Sequence, residues 1–417
     1  MAKDFSPVKG TTDYTPAEML VRESAKQIIL ESYRKNGYSL IKTPILENLD
    51  FLMGSEGGEN LRLIFKTLKR GEKLDLSKPN LTEADVAEEG LRYDLTVPLI
   101  RFYSKNRDKL PIPFKAIQMD DVFRAERPQK GRSRQFTQCD IDIVGDSSIN
   151  AEIDLIYTIL ETYKKLKFDN LTMKVNDRKI LNQIIAFCGF AEEDTEHVLI
   201  CIDKLDKIGY EGIKNSLTED GYSASNIEKL TTALSTISEK GVACLTQFGV
   251  SEELKNNMTI LLNSLGKNLP AGCRVIFDIS VVRGQSYYTG TVFEAYTEGF
   301  ARAIGGGGRY DKIMGKVSGI DTPMVGFSIG FEPCCMLMLE RGVQFGNNKN
   351  LALIYNADEA FENVLDCKKQ LMEEYNVSLY VRPKNLKNLL TKLKDSGFTF
   401  FCFFNKESKT QTINPIE

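Results

Sequence analysis

The sequence predicts an α+β fold, an antiparallel sheet with flanking helices that is interrupted by a helical insertion and followed by a small α/β domain. Three observations carry this expectation. Two β-type runs, 114–119 and 139–144, enclose a basic segment and read as a hairpin. Residues 178–266 are rich in Lys, Glu and Leu and hold no strand-like run, so they split the sheet-forming sequence in two. Residues 350–404 alternate β and α patterns, as a small parallel sheet requires.

Taken in order, 17–36 has apolar positions at helical spacing with Thr15-Pro16 as a start signal, and Gly37 stops the helix before a strand over 37–44. Residues 72–90 are polar and turn-rich and read as a flexible loop before a strand at Arg92. The hairpin follows, then an amphipathic helix over 150–166, then the insertion. Strands resume at 273 and continue through 297. The expected domains are therefore 1–177 with 267–342, the insertion 178–266, and a C-terminal domain 350–417. In that last domain strands at 351–355, 377–381 and 398–404 alternate with helices at 358–374 and 385–395, and the polar tail after 404 predicts that a final strand and helix are missing.

A chain of 417 residues, 42% apolar and 27% charged, is globular and long enough for about two or three domains. It has no apolar run of about 18 residues, and Met-Ala-Lys-Asp-Phe-Ser is no signal sequence, so a cytoplasmic protein without membrane contact is expected. Nine cysteines without a Cys-x-x-Cys pair argue against disulfides and zinc. The single histidine, His197, lies in a charged helical stretch, which disfavours imidazole catalysis and predicts that no His–Cys metal cluster can be built. A net charge of −3 confines any nucleic-acid contact to local basic patches.

The strongest such patch is the hairpin tip, where Arg124, Arg127, Lys130, Arg132 and Arg134 crowd a loop shaped by Pro128 and Gly131. Planar guanidiniums on a strand-borne loop suit bidentate recognition of phosphate. Taken alone, the same residues also fit a solvated surface hairpin.

The segment 123–138, Phe-Arg-x-Glu-Arg-Pro-Gln-Lys-Gly-Arg-x-Arg-Gln-Phe-x-Gln, resembles the second signature motif of class II aminoacyl-tRNA synthetases in the form found in the histidyl-tRNA synthetase family. Five further segments resemble the family in the same order: 9–14 (Lys-Gly-Thr-Thr-Asp-Tyr), 92–98 (Arg-Tyr-Asp-Leu-Thr-Val-Pro), 282–294 (Val-Arg-Gly through Val-Phe-Glu), 305–311 (Gly-Gly-Gly-Gly-Arg-Tyr-Asp) and 326–332 (Gly-Phe-Ser-Ile-Gly-Phe-Glu). An ordered set spanning 9–332 is far more specific than one glycine-rich match.

The resemblance implies a class II catalytic fold, ATP, histidine and tRNA(His) as substrates, and magnesium entering with ATP, with no metal held by the protein. It implies a homodimer, because the helix over 17–36 and the strand ending at Pro44 and Glu47 are similar to the first class II motif. It implies that Arg124 and Arg283 meet the α-phosphate, that Glu126 and Phe136 hold adenine, and that Arg134 belongs to the ATP site. It assigns histidine to Asp94, Thr96, Gln138, Asp142, Tyr287 and Tyr288, and the tRNA acceptor end to Arg127 and Gln129. The chemistry agrees: joining a carboxylate to a phosphate needs preorganised cations, and a histidine pocket needs acidic and amide partners.

The chain departs from the family at Gln285-Ser286, where Leu-Asp is frequent, and at Pro333, where class II enzymes carry an arginine. Arg134 or Arg341 could compensate for the latter. Pro333 and the short C-terminal domain favour a second reading, a non-catalytic paralogue similar to the histidine-binding regulatory subunit of ATP phosphoribosyltransferase.

Overall fold

The structure, a computed structural model, describes residues 4–54, 62–127, 133–283, 288–343, 349–408 and 410–416. The chain forms two compact units, one of Met1–Thr11 with Ile28–Cys334, the other of Thr12–Gln27 with Cys335–Glu417. Among the described residues no helix is long and apolar enough to cross a membrane.

The elements of the first unit begin with helix α1 (Pro16–Lys35), whose first half belongs to the second unit. Then come β1 (Ser39–Leu40), β2 (Leu46–Asn48), α2 (Leu49–Gly54), β3 (Lys66–Leu68), α3 (Glu83–Val86), β4 (Ala87–Leu91) and α4 (Thr96–Asn106). The hairpin β5 (Phe114–Phe123) and β6 (Gln135–Val144) leads to α5 (Ile149–Lys165) and β7 (Leu171–Asp177). Five helices follow: α6 (Arg178–Phe187), α7 (Thr195–Ile202), α8 (Leu205–Glu219), α9 (Ala224–Lys240) and α10 (Glu252–Gly266). The unit closes with β8 (Cys273–Phe277), β9 (Thr291–Thr297), β10 (Gly305–Arg309), α11 (Ile313–Ser318), β11 (Met324–Gly330) and the start of α12 (Phe331–Glu340).

Eight strands form one sheet in the order β1-β5-β6-β11-β10-β9-β7-β8. The β5/β6 hairpin is antiparallel over its full length, from Phe114↔Val144 to Phe123↔Gln135. Helix α5 covers the sheet through Ala151, Leu155, Ile156, Ile159, Leu160 and Tyr163, all buried at the i, i+4 and i+1, i+4 spacing of one helical face. Between the paired parallel strands β7 and β8 run the five helices, of which α6, α9 and α10 are started by Asp177, Ser223 and Ser251, whose side chains accept from backbone N–H groups of the first turn.

Three expectations need correction in this unit. Residues 72–90 are not a loop throughout, because Thr82 and Asp85 form a reciprocal capping box that starts α3, and β4 follows with Ala87 buried. Strand β4 is the centre of a second sheet, β2-β4-β3, over Leu49, Leu52, Ile64, Tyr93 and Val97. The strand thus ends at Leu91, and Arg92 lies beyond it. The strand expected over 37–44 shrinks to two residues of β1, parallel to β5.

The second unit carries β12 (Asn350–Tyr355), α13 (Phe361–Leu371), β13 (Asn376–Val381), α14 (Leu386–Asp395), β14 (Phe400–Phe403) and β15 (Asn414–Pro415) in a sheet ordered β13-β12-β14-β15. Alternate residues of β12 build two small cores, Leu351 and Leu353 with Val364 and Cys402 on one face, Ala352 and Ile354 with Leu393 on the other. The expected loss of a final strand is corrected to this extent: Asn414 and Pro415 pair antiparallel with β14.

Candidate active site

The register of the large sheet brings one row of side chains onto a single face. Gln118 lies opposite Asp140, Asp140 opposite Ser328, Ser328 opposite Gly306, Gly306 opposite Glu294, and Glu294 opposite Lys174. The adjacent row runs Asp142, Gly326, Gly308, Val292. Glycine in the middle of both rows removes the side chains that would otherwise fill this face. A Cβ on Gly326 would lie 2.0 Å from Asp142 Oδ1, on Gly306 2.5 Å from Arg283 Nη1, and on Gly308 2.7 Å from Tyr288 Cδ1. What remains is a cavity of about 410 Å³.

Of the residues singled out in the sequence, Asp94, Thr96, Arg124, Glu126, Phe136, Gln138, Asp142, Arg283 and Tyr288 all line this cavity. Arg134 is not in its wall; its Nε donates to the Glu126 carbonyl at 3.1 Å and its own carbonyl accepts from Arg124 N at 2.8 Å, so it braces the base of the hairpin tip. Arg127 is exposed at that tip. Gln129 and Tyr287 lie outside the described residues. Sequence reasoning missed Asp140, although it stands between Gln138 and Asp142 at strand spacing and therefore on their face. It also gave no role to Tyr310, Ser328 and Glu332, which line the cavity.

Burial governs the acidic side. Asp94 is held by the Arg92 loop: the fully buried Arg92 donates through Nε to Asp121 O and through Nη1 to Thr43 O, each at 2.9 Å, and Gln118 Nε2 donates to Leu95 O at 2.7 Å. Desolvation raises the Asp94 carboxyl to about 6, against the opposing pull of the Val97 N–H and Arg124. Desolvation likewise raises Asp142 to about 7 despite the hydrogen bond donated by Tyr310, and holds Asp140 well above the usual range, with Asp142 adding repulsion. Gln138 Oε1, Asp140 Oδ1 and Asp142 Oδ2 are buried acceptors without a hydrogen-bond partner among the described residues. Unfilled buried acceptors are costly, and a ligand that brings N–H donors or positive charge relieves that cost.

The cavity also holds two arginines. Arg124 donates to the Tyr93 carbonyl at 3.0 Å and lies with Cζ 5.0 Å from the Phe136 ring centroid. Arg283 donates through Nη1 to Glu294 at 2.8 Å. At the helix that ends the cavity, Glu332 accepts from Thr137 N at 3.1 Å, and Pro333 occupies the first turn of α12. The scaffold beneath is fastened by a bidentate pair, Arg309 donating to both Glu152 oxygens at 2.6 Å, with Thr291 on the same carboxylate. Buried acidic and amide acceptors together with two guanidiniums in one cavity suit a ligand that carries both positive and negative charge.

Away from the cavity, the expectation that no His–Cys cluster can be built is corrected. Helices α7 and α8 bring the possible ligand atoms of His197, Cys201 and Asp220 within 4.8 Å of one another. His197 Nε2 lies 2.8 Å from Asp220 Oδ2, and Cys201 Sγ is 3.7 Å from Ser216 Oγ.

Known proteins are similar to this chain over nearly its whole length. Residues 10–334 match the family described as histidyl-tRNA synthetase. The histidine–tRNA ligase of Leifsonia xyli subsp. xyli is 38% identical over 98% of this chain and 97% of its own length. The probable histidine–tRNA ligase of Tropheryma whipplei is 34% identical over 96% and 95% of the two chains. Among solved structures, histidyl-tRNA synthetase from Nostoc sp. superposes with a TM-score of 0.78 at 23% identity, covering 99% of this chain and 97% of that one. An ATP phosphoribosyltransferase regulatory subunit/histidyl-tRNA synthetase from Bacillus halodurans gives 0.76 at 17% identity, covering 97% and 100%. At these identities both likenesses speak to fold alone.

Proposed function

The chain belongs to the histidyl-tRNA synthetase family, and from that premise we propose that it is a histidine–tRNA ligase acting on histidine, ATP with its magnesium, and tRNA(His). The observation that carries the reading is one cavity that brings the buried acceptors of Asp94, Gln138, Asp140 and Asp142 together with Arg124 and Arg283.

In the first step a carboxylate oxygen of histidine bonds to the α-phosphorus of ATP while the bond to the bridging oxygen breaks and pyrophosphate leaves. In the second, a terminal ribose hydroxyl of tRNA attacks the activated carbonyl, and AMP departs as the ester forms. Asp94 and Thr96 receive the α-ammonium. Gln138 and Asp142, with Tyr287 and Tyr288, receive the imidazole. Arg124 and Arg283 face the α-phosphate, where charge grows in the transition state. Glu126 accepts from the adenine amino group and Phe136 stacks on the base, with Arg134 supporting the ATP site from behind. Arg127 and Gln129 meet the acceptor end of tRNA, and the small domain over 350–417 is similar to the family's anticodon-binding domain, shortened at its end. The working form is a cytoplasmic homodimer.

The regulatory-subunit reading draws on Pro333 and on the short C-terminal domain. It is the weaker one, because a histidine sensor needs neither paired arginines nor an adenine site, and curated relatives across nearly the whole chain are ligases. Charging tests the choice. With ATP, histidine and tRNA(His) the protein forms histidyl-tRNA, and Arg127→Ala lowers transfer more than adenylate formation. Histidine binding without any charging would favour the sensor.

A further inference from the structure

Arg283 occupies the left-handed region, with φ of 60°, which non-glycine residues seldom enter. Its guanidinium lies over Gly306 and is held by Glu294 Oε1. The other oxygen of that carboxylate, Oε2, accepts from the Tyr296 phenol at 2.6 Å. Lys174 Nζ stands 5.0 Å from the centroid of the Tyr296 ring. Lys174 in turn lies 2.7 Å from Asp278 Oδ2 and 3.9 Å from Asp206 Oδ2, the latter in the first turn of α8.

On these contacts we propose that Tyr296 and Lys174, braced by Asp278 and Asp206, are positioning residues that orient Glu294 and through it Arg283. The inference rests on the synthetase reading for the role of Arg283. A carboxylate held by one partner can rotate about its last torsion, whereas one held on both oxygens presents a fixed edge to the guanidinium. The strand register favours the same arrangement, since Lys174 sits directly opposite Glu294 and Thr172 opposite Tyr296. Asp206 ties this row to the helices over 178–266 through Lys174, and Asp203 of the same segment also interacts electrostatically with Glu294 and Arg283.

Tyr296→Phe removes only the hydroxyl. We expect it to lower kcat for histidine-dependent pyrophosphate exchange about tenfold while KM for histidine stays within about twofold, the pattern of an interaction realised in the transition state. In an Arg283→Lys background the same change should cost less than about twofold, because residues acting as a unit are non-additive. An exchange rate near that of the parent, a change in KM alone, or equal losses in both backgrounds would overturn the relay. A crystal structure of Tyr296→Phe reads the geometry without turnover: loss of the 2.8 Å contact between Arg283 and Glu294 supports the relay and its persistence contradicts it. Absence of exchange in the parent would instead count against the synthetase reading, leaving the structural arm to decide the relay.

Discussion

The phenol of Tyr310 donates to one carboxylate oxygen of Asp142, and the other oxygen of Asp142 is buried without a partner among the described residues. The pair stands on the same cavity wall as Gly326, whose missing side chain makes room for it. An acid kept half-satisfied in the free protein is prepared for a donor from outside.

Asp142→Asn keeps the shape and removes the charge. Loss of a charged partner inside a buried pocket costs about 2 kcal/mol or more, so KM for histidine should rise at least about thirtyfold. Kinetics at saturating ATP measure it, with thermal unfolding to show that the fold is intact.

The raised carboxyls make both binding and stability depend on pH. Asp94, at about 6, and Asp142, at about 7, must be ionised to receive a cationic ligand, so histidine affinity should fall as pH drops from 8 through 6. Stability runs the other way. A carboxyl whose pKa is higher folded than unfolded stabilises the fold below its unfolded value of about 4 and loses that contribution as pH rises through the folded value. The Tm of the ligand-free protein should therefore gain on acidification from pH 8 to 5.5, and Asp142→Asn should gain less. Thermal scans of the two proteins across that range provide the comparison.

Two neighbouring glycines separate activity from folding. A Cβ on Gly306 would meet the far end of the Arg283 side chain, whereas one on Gly307 would lie 2.0 Å from the backbone oxygen of Gly326. Gly306→Ala should lower exchange activity about tenfold or more with little change in Tm, since only a flexible guanidinium must move. Gly307→Ala forces strands β10 and β11 apart and should cost about 1–3 kcal/mol of stability.

Pro333 lines the cavity where the family's arginine is missing. Pro333→Arg adds a planar cation able to stack on adenine and pair with phosphate, and should lower KM for ATP by about threefold to tenfold. An unchanged KM in a folded variant would mean either that another residue already fills this role or that the chain does not bind ATP, and a nucleotide-binding titration on the parent protein separates the two.

Much of this was legible in the sequence because periodicity survives where an element buries one face. The hairpin, α1, α5 and the run of helices after Asp177 announced themselves in that way. The short strands β2, β3 and β4 did not, since three to five residues bear too little pattern, and the capping box of Thr82 and Asp85 was hidden in a polar stretch. At the cavity, residues within one motif were readable one by one. The contact between Arg283 and Glu294 depends on how β9, β10 and the turn before them are registered, which no local spacing encodes. Asp220 likewise meets His197 only through the packing of α7 on α8.

If the two arginines of this cavity serve histidine activation, histidine-dependent exchange of pyrophosphate into ATP reads their work without tRNA. The parent protein should catalyse exchange with histidine and with no other amino acid at a comparable rate. Arg283→Ala should lose a transition-state cation worth about 3 kcal/mol or more, a fall beyond about a hundredfold, while remaining folded. No exchange by the parent, or an Arg283→Ala rate within about tenfold of it, would contradict the account.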